Sequence, residues 1–404
     1  MKALFHDLSL SALVAGCIAT LISYAGPLVI IFQAADSAGL SHAVLTSWVW
    51  AISIGSAVLG IGLSLRYRVP LVIAWSAPGS ALLVSLLPQI SLNEAVGAYL
   101  VANLIILLVG LSGAFDRIIG RLPPAISAAM LAGILFSFGT GLFVSLQSQP
   151  LLVLAMFATY LVVKRLLPRY AVMAVLLVGC LIALVSGELH GEALVIGLAM
   201  PLWITPQFSL AATLNIALPL VMVALTGQFV PGMAVLRNDG YQTPASPLIS
   251  ASATASLLLA PFGCHGLNLA AITAAICTGR EAHEDPRKRY VAGVAGGLCY
   301  LLLGLFGATL VSLFSALPKE LIAALAGLAL FGAIGGSLAS AMAAPNDREA
   351  ALITFLVTAS GMSFLGLSAA FWGLIFGIAA HLLLSARRTE RRQVEPLGER
   401  EVAR

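Results

Sequence analysis

The side chains that could do chemistry fall in two short stretches, Trp75-Ser76-Ala77-Pro78-Gly79-Ser80 and Pro261-Phe262-Gly263-Cys264-His265-Gly266-Leu267-Asn268. The apolar runs around them carry no Lys, Arg, Asp or Glu near their centres, and Asp36, Glu94, Asp239 and Glu281 fall at ends or in loops. His265 is therefore the one deep ionisable group. Such a group inside an apolar span is expensive and usually functional, and imidazole changes charge near neutral pH. Two roles are open to it: carrying a proton, or, as a neutral ring, capping a helix or bonding a neighbouring carbonyl. Cys264 and His265 do not read as a nucleophile and its base, because adjacent residues rarely turn their side chains towards each other. Tyr24, Ser76, Ser80, Gln228, Asn268 and Thr273 add uncharged donors, and Trp75, Phe229 and Phe262 add aromatic surface. Dipoles, hydroxyls and amides with aromatic walls suit a small aromatic or apolar anion. They suit a cation poorly, since no carboxylate is present. Taken singly, each of these residues serves equally well as packing between helices.

The elements that must hold these residues are membrane helices. Of the 404 residues 60% are hydrophobic and 9% charged, against about 25% charged in a soluble domain. Lipid must replace water over most of such a surface. A spanning helix needs about 20 mostly apolar residues. Such runs lie near 10–32, 43–65, 71–87, 94–114, 124–144, 150–164, 170–187, 212–236, 245–260, 265–279, 290–316, 320–341, 349–366 and 368–385. The first is too long for a signal peptide and has no convincing cleavage motif. A shorter apolar run, 193–201, followed by Trp203 and flanking prolines, reads as an interfacial loop. Residues 1–386 thus form one polytopic membrane domain of about fourteen spans, followed by a charged tail, 387–404, suited to the solvent and to anionic lipid.

The basic residues test that count, because they concentrate in cytoplasmic loops. With the N-terminus inside, every Lys and Arg except Lys319 falls on the inner side: Lys2, Arg66, Arg68, Arg117, Arg121, Lys164, Arg165, Arg169, Arg237, Arg280, Arg287, Lys288, Arg289, Arg348 and the tail from Arg387. Losing one span would reverse every later loop. The expected protein is a multi-pass inner-membrane protein with both termini cytoplasmic.

Fourteen spans divide into seven plus seven, and an odd repeat forces the second half to be inverted. Inverted repeats place substrate sites at broken helices near the midplane. Pro78-Gly79 after Ser76 cannot continue a helix from its N-terminal side, but proline starts one well. The sequence predicts a short strand over 72–75, a break capped by Ser76 or Ala77, and a half-helix from about Pro78. Pro261, Gly263 and Gly266 precede a second short helix, placing His265 at its start. Tyr24-Ala25-Gly26-Pro27 and Gly227-Gln228-Phe229-Val230-Pro231-Gly232 echo each other in spans 1 and 8. Facing half-helix N-termini expose N–H groups and about half a positive charge each. Those donors must be satisfied within hydrocarbon, and an anion does so. The competing account is that both breaks are packing kinks.

Several classes fall away. The five cysteines, Cys17, Cys180, Cys264, Cys277 and Cys299, are scattered, with no CxxC or Cys/His metal spacing, so neither a metal nor a disulfide framework is expected, and no cofactor is implied. A membrane enzyme would need paired Asp residues, Ser with Lys, or HExxH, none of which occurs. A passive anion channel stays open, as does a permease for another substrate. No nucleic-acid partner is expected.

Ser-Ala-Pro-Gly-Ser at 76–80 and Pro-Phe-Gly-Cys-His-Gly-Leu-Asn-Leu-Ala-Ala-Ile-Thr-Ala-Ala-Ile-Cys at 261–277 resemble the bacterial benzoate:proton symporter family, itself distantly related to nucleobase and sulfate permeases. The resemblance covers residues 1–390. It implies a 7+7 inverted repeat, with a core (about 10–114 and 212–316) that slides in elevator fashion against a gate (about 124–187 and 320–385), often in a homodimer. Benzoate would lie between spans 3 and 10, beside spans 1 and 8, against Tyr24, Trp75, Ser76, Pro78, Gly79, Ser80, Gln228, Cys264, His265, Gly266, Leu267 and Asn268. Nucleobase permeases carry glutamates in spans 8 and 10. Here Gln228 occupies the former and no acid precedes Glu281 in the latter, which favours a carboxylate substrate. The coupled proton then belongs either to His265 or to the substrate as the neutral acid.

Overall fold

The computed structural model describes residues 7–115, 117, 123–188, 196–365 and 367–394, and it is mostly helical. Serine side chains set several helix starts. Ser9 caps α1 (Leu10–Ala25), Ser41 caps α3 (His42–Tyr67), and Ser91 forms a reciprocal capping box with Glu94 at α5 (Leu92–Ser112). Each hydroxyl takes one of the N–H groups that a helix start leaves unpaired. Between these lie α2 (Pro27–Ser37), β1 (Ile73–Trp75) and α4 (Ala77–Leu86). The chain continues through α6 (Pro124–Val144), α7 (Pro150–Leu166), α8 (Ala171–Val185), α9 (Leu210–Asn238) and α10 (Ala245–Leu259). Then follow β2 (Leu267–Leu269), α11 (Ile272–Thr278), α12 (Tyr290–Leu305), α13 (Gly307–Ser315), α14 (Lys319–Ala341), α15 (Arg348–Ala359), the hairpin β3 (Ser363–Phe364) and β4 (Leu367–Ser368), and α16 (Ala369–Val394).

Among the described residues, seven helical stretches are long and apolar enough to cross a bilayer, or eight if the bent pair α12–α13 is one span. The remaining expected spans are shorter or interrupted, and the reasons are local. Pro27 has no N–H to give the preceding turn, so α1 gives way to α2 at Gly26, although the two together make one of the seven long stretches, Leu10–Ser37. The 290–316 run turns by 71° at Phe306. The 349–366 run ends its helix at Ala359 and finishes as the hairpin. The 265–279 run is helical only over Ile272–Thr278, so His265 does not stand at a helix start: Leu267–Leu269 is strand, and its backbone is engaged elsewhere. At the other end α16 runs on to Val394, beyond the expected start of the tail. Residues 395–404, and 193–195 of the expected interfacial loop, lie outside the described residues; from residue 196 that loop has no regular structure.

Helix α9 is continuous but twice widens to π geometry, over Thr213–Ala217 and Leu225–Phe229. Each widening contains the carbonyl four residues before a proline, Asn215 before Pro219 and Gly227 before Pro231. A proline ring would collide with that carbonyl in a regular α-turn, and a local π turn moves it aside.

Two packing groups emerge. In one, α12 lies against α1 and α3, α5 against α10, and α2 against α4; in the other, α6 lies against α14 and α15, α15 against α16, and α7 against α8. Small residues let the first group close up. A Cβ on Gly16 would collide with the Ala292 carbonyl and stand 2.6 Å from the Gly296 nitrogen, and Thr20 donates a 3.0 Å hydrogen bond to the Gly296 carbonyl. Lipid is as apolar as leucine, so this close van der Waals contact and the bonds across it drive helix association. Lys319, the exception to the charge pattern, pairs with Asp36 at 3.1 Å between α14 and α2. Both side chains are well exposed, so the pair contributes little.

Gly16→Ala is expected to destabilise the protein by about 1–3 kcal/mol through overpacking. Gly62→Ala, whose Cβ would meet nothing within 4 Å, should be neutral or slightly stabilising. Thermal unfolding of the two variants in detergent checks the contrast.

Candidate functional site

The site is built where two chain breaks meet. β1 and β2 pair antiparallel, with Ile73 opposite Leu269, Ala74 opposite Asn268 and Trp75 opposite Leu267. The Ala270 N–H extends the ladder by donating to the Val72 carbonyl at 2.9 Å. Neighbouring helices supply the bonds the ladder lacks. Ser64 of α3 bonds both N–H and C=O of Leu71, at 3.1 and 3.2 Å. Ser256 of α10 accepts from the Leu267 N–H at 2.8 Å. Asn103 of α5 donates to the His265 carbonyl at 3.4 Å and to the Tyr99 carbonyl at 2.8 Å. Each unpaired group here would cost several kcal/mol in a dry membrane interior.

Ser76 starts α4. Its Oγ accepts from the Gly79 N–H at 3.0 Å, and its carbonyl accepts from the Ser80 N–H at 2.8 Å and the Ser80 hydroxyl at 3.0 Å. Pro78 lies in the first turn, where its missing N–H costs nothing. A Cβ on Gly79 would stand 2.9 Å from Leu220 and 3.0 Å from Ser76, so glycine lets α9 come up against the cap. His265 joins both breaks. Its Nε2 is 3.2 Å from the Ser76 carbonyl and 3.1 Å from the Ser80 hydroxyl, and its Nδ1 receives the Trp48 indole N–H at 3.2 Å.

Aromatic surface lies beside the cap. Trp75 meets Tyr24 edge-on at 5.5 Å and Tyr300 at 6.1 Å between ring centroids. The Tyr24 hydroxyl donates to Ser53 of α3. The Trp75 Nε1–H is buried with no hydrogen-bond partner among the described residues. An unpaired buried donor is uncommon in a folded protein.

Strand pairing thus brings Trp75, Ser76, Gly79 and Ser80 together with Cys264, His265, Gly266, Leu267 and Asn268, all of them buried, and Tyr24 joins through its ring. Gln228 is half-buried on the π stretch of α9 and forms no hydrogen bond with this cluster. Trp48, Tyr99, Asn103 and Tyr300 belong to the cluster and were not anticipated. Asn103, a lone amide deep in an apolar run, carried a readable signal. Trp48 stands early in its helix and reads there as an interfacial anchor. Tyr300 reads as ordinary core.

A water-sized void of about 10 Å³ lies behind β1, bordered by Ser56, Ile73 and Tyr300. The larger cavity, about 370 Å³, lies among Leu10, Val14 and Ile18 of α1, Tyr170, Ile276 of α11 and Glu281. It opens beside the basic loops and touches none of the clustered residues.

A multi-span helical chain with two interrupted segments joined through short antiparallel strands is a membrane transporter fold. The murine Solute Carrier 26 family member A9 anion transporter, in its inward-facing state, superposes with a TM-score of 0.65 at 16% identity, over 95% of this chain and 69% of that one. The transmembrane domain of a cyanobacterium bicarbonate transporter, BicA, superposes at 0.58 with 14% identity, over 94% and 98%. Sequence is more specific. The benzoate membrane transport protein family matches residues 6–383, and the chain belongs to that family. It is 52% identical over 384 residues to the benzoate membrane transport protein of Acinetobacter baylyi, covering 95% of this chain and 98% of that protein. It is 43% identical over 373 residues to the inner membrane protein YdcO of Escherichia coli K12, covering 92% and 95%.

Ser76→Ala removes a helix cap and is expected to cost about 1 kcal/mol, while Ser76→Gly should cost only a few tenths. Thermal unfolding in detergent distinguishes the two.

Proposed function

We propose that this chain imports benzoate, or a close aromatic carboxylate, together with protons across the bacterial inner membrane. The observation that carries the reading is the 52% identity with a benzoate membrane transport protein along nearly the whole of both chains. The site chemistry agrees with it. The start of α4 offers a positive dipole end, the buried Trp75 N–H is unclaimed, and Tyr24, Trp75 and Tyr300 supply aromatic faces. No fixed negative charge opposes an anion there.

The transport cycle we infer has a core, about 10–114 and 212–316, moving against a gate, about 124–187 and 320–385, in an elevator fashion. The two packing groups support this division. The core and gate belong to a 7+7 inverted repeat of fourteen crossings, with both termini cytoplasmic. The cavity at Glu281 and Tyr170 is then an inner vestibule between core and gate. Opening the route to it requires the packed cluster around Ser76 and His265 to move with the core. A second copy of the chain is the expected neighbour in the bilayer.

Proton coupling follows from energetics. An anion entering against about 100 mV costs about 2.3 kcal/mol. A proton entering with it cancels that charge and adds the pH gradient. His265 is the proposed proton-coupling residue.

Radiolabelled benzoate uptake into proteoliposomes under an inward proton gradient tests the reading. Accumulation should be abolished by excess unlabelled benzoate but not by uracil or sulfate. In His265→Ala, accumulation should fall while equilibrium exchange persists. Competition by sulfate or uracil would instead assign another permease substrate, and uptake indifferent to the gradient would indicate a passive channel.

A further inference from the structure

We propose that Trp48 is the positioning residue for His265. With the Ser76 carbonyl it holds the imidazole in one neutral tautomer, and it makes proton uptake there and release of α3 a single event. An indole N–H can only donate and a backbone carbonyl can only accept. Trp48 Nε1 lies 3.2 Å from Nδ1, so Nδ1 presents its lone pair; the Ser76 carbonyl lies 3.2 Å from Nε2, so Nε2 carries the hydrogen. Ser80, 3.1 Å from Nε2, already gives its own hydrogen to the Ser76 carbonyl and asks nothing contrary. One protonation state fits all partners.

Trp48 is itself held in place. It is 1% exposed and meets the His265 ring edge-on at 5.7 Å between centroids. Gly263, at φ +101°, lets the second break pass directly over it: a Cβ there would stand 3.1 Å from the Cα and Cβ of Trp48. Positive φ favours glycine. The break that delivers His265 is thus shaped around the residue that receives its Nδ1. The other titratable groups at the imidazole are Tyr99 of α5, 6.3 Å away between centroids, and the adjacent Cys264. The hydrogen-bond partners Trp48, Ser76 and Ser80 are all uncharged. A second proton can enter only at Nδ1, and it must displace the Trp48 N–H. In the neutral state the ring joins α3, the α4 cap and the second break; in the protonated state it lets go of α3. This deepens the symport reading by assigning the residue through which proton binding is felt.

Nitrogen NMR of protein labelled with ¹⁵N-histidine, with His265→Asn used to identify the signal, needs no substrate. A lone Nε2–H tautomer with a hydrogen-bonded Nδ1 is expected in the wild type at neutral pH, and in Trp48→Phe the same tautomer, held by the Ser76 carbonyl, with the Nδ1 signal moved to that of an acceptor without a donor. An Nδ1–H tautomer or an imidazolium in the wild type overturns the proposal, as does an Nδ1 signal unchanged in Trp48→Phe. If Trp48→Phe does not fold, the wild-type spectrum alone decides. The second readout is proton-driven benzoate accumulation. Trp48→Phe and His265→Asn should each lower it about tenfold, and the double variant should be no worse than His265→Asn, since residues in one network are not additive. A loss of about a hundredfold in the double variant overturns the proposal. If the wild type accumulates no benzoate, the substrate reading fails and the spectra still decide the role of Trp48.

Discussion

The constraint behind the whole structure is that backbone N–H and C=O groups inside a bilayer must find partners within the protein. A regular helix meets it automatically, and a broken one does not. Two of the interruptions in this chain are paired with each other through β1 and β2. What the ladder leaves over is taken up by Ser64, Asn103 and Ser256 from three surrounding helices. The extended backbone is tolerable because it is buried in protein, with no edge facing lipid.

That solution fixes the character of the site. The helix cap at Ser76 and the imidazole of His265 lie side by side because the strands hold them there. The cluster is polar without being charged. Cap, amides, hydroxyls and indole N–H provide dipoles, while the rings of Tyr24, Trp75 and Tyr300 provide apolar surface. A fixed charge would be costly to bury and would bias the site towards one ion; dipoles can be left half-satisfied at less cost. The Trp75 N–H is such a group, buried without a partner.

Around this centre the packing is close and rich in glycine. Gly16 and Gly296 let α1 and α12 nearly touch, and Gly79 and Gly263 let chain pass over Ser76 and Trp48. These four glycines serve approach rather than flexibility, apart from Gly263, where positive φ also requires one.

Membership of the membrane class, the position of both breaks, the capping role of Ser76 and the family itself were legible from composition, proline placement and motif. These are local or cumulative properties, and hydrocarbon leaves the backbone few choices. The strand at Ile73–Trp75 was legible too, because a prolyl-glycyl start forces what precedes it out of the helix. The fate of the 265–279 run was not. Its residues are apolar enough for a helix, and only the presence of β1 as a partner draws Leu267–Leu269 into a ladder and moves His265 away from any helix start. Nor could spacing assign Trp48, Tyr99 and Tyr300 to the cluster. Their side chains are unremarkable in helices of aromatic and aliphatic residues, and their meaning depends on which neighbour they face. The sequence by itself determined that the chain must break within the membrane and what chemistry the breaks carry. Tertiary structure decided which groups satisfy them, because a hydrogen bond between residues 48 and 265 is set by how separate helices pack and leaves no periodic trace in the chain.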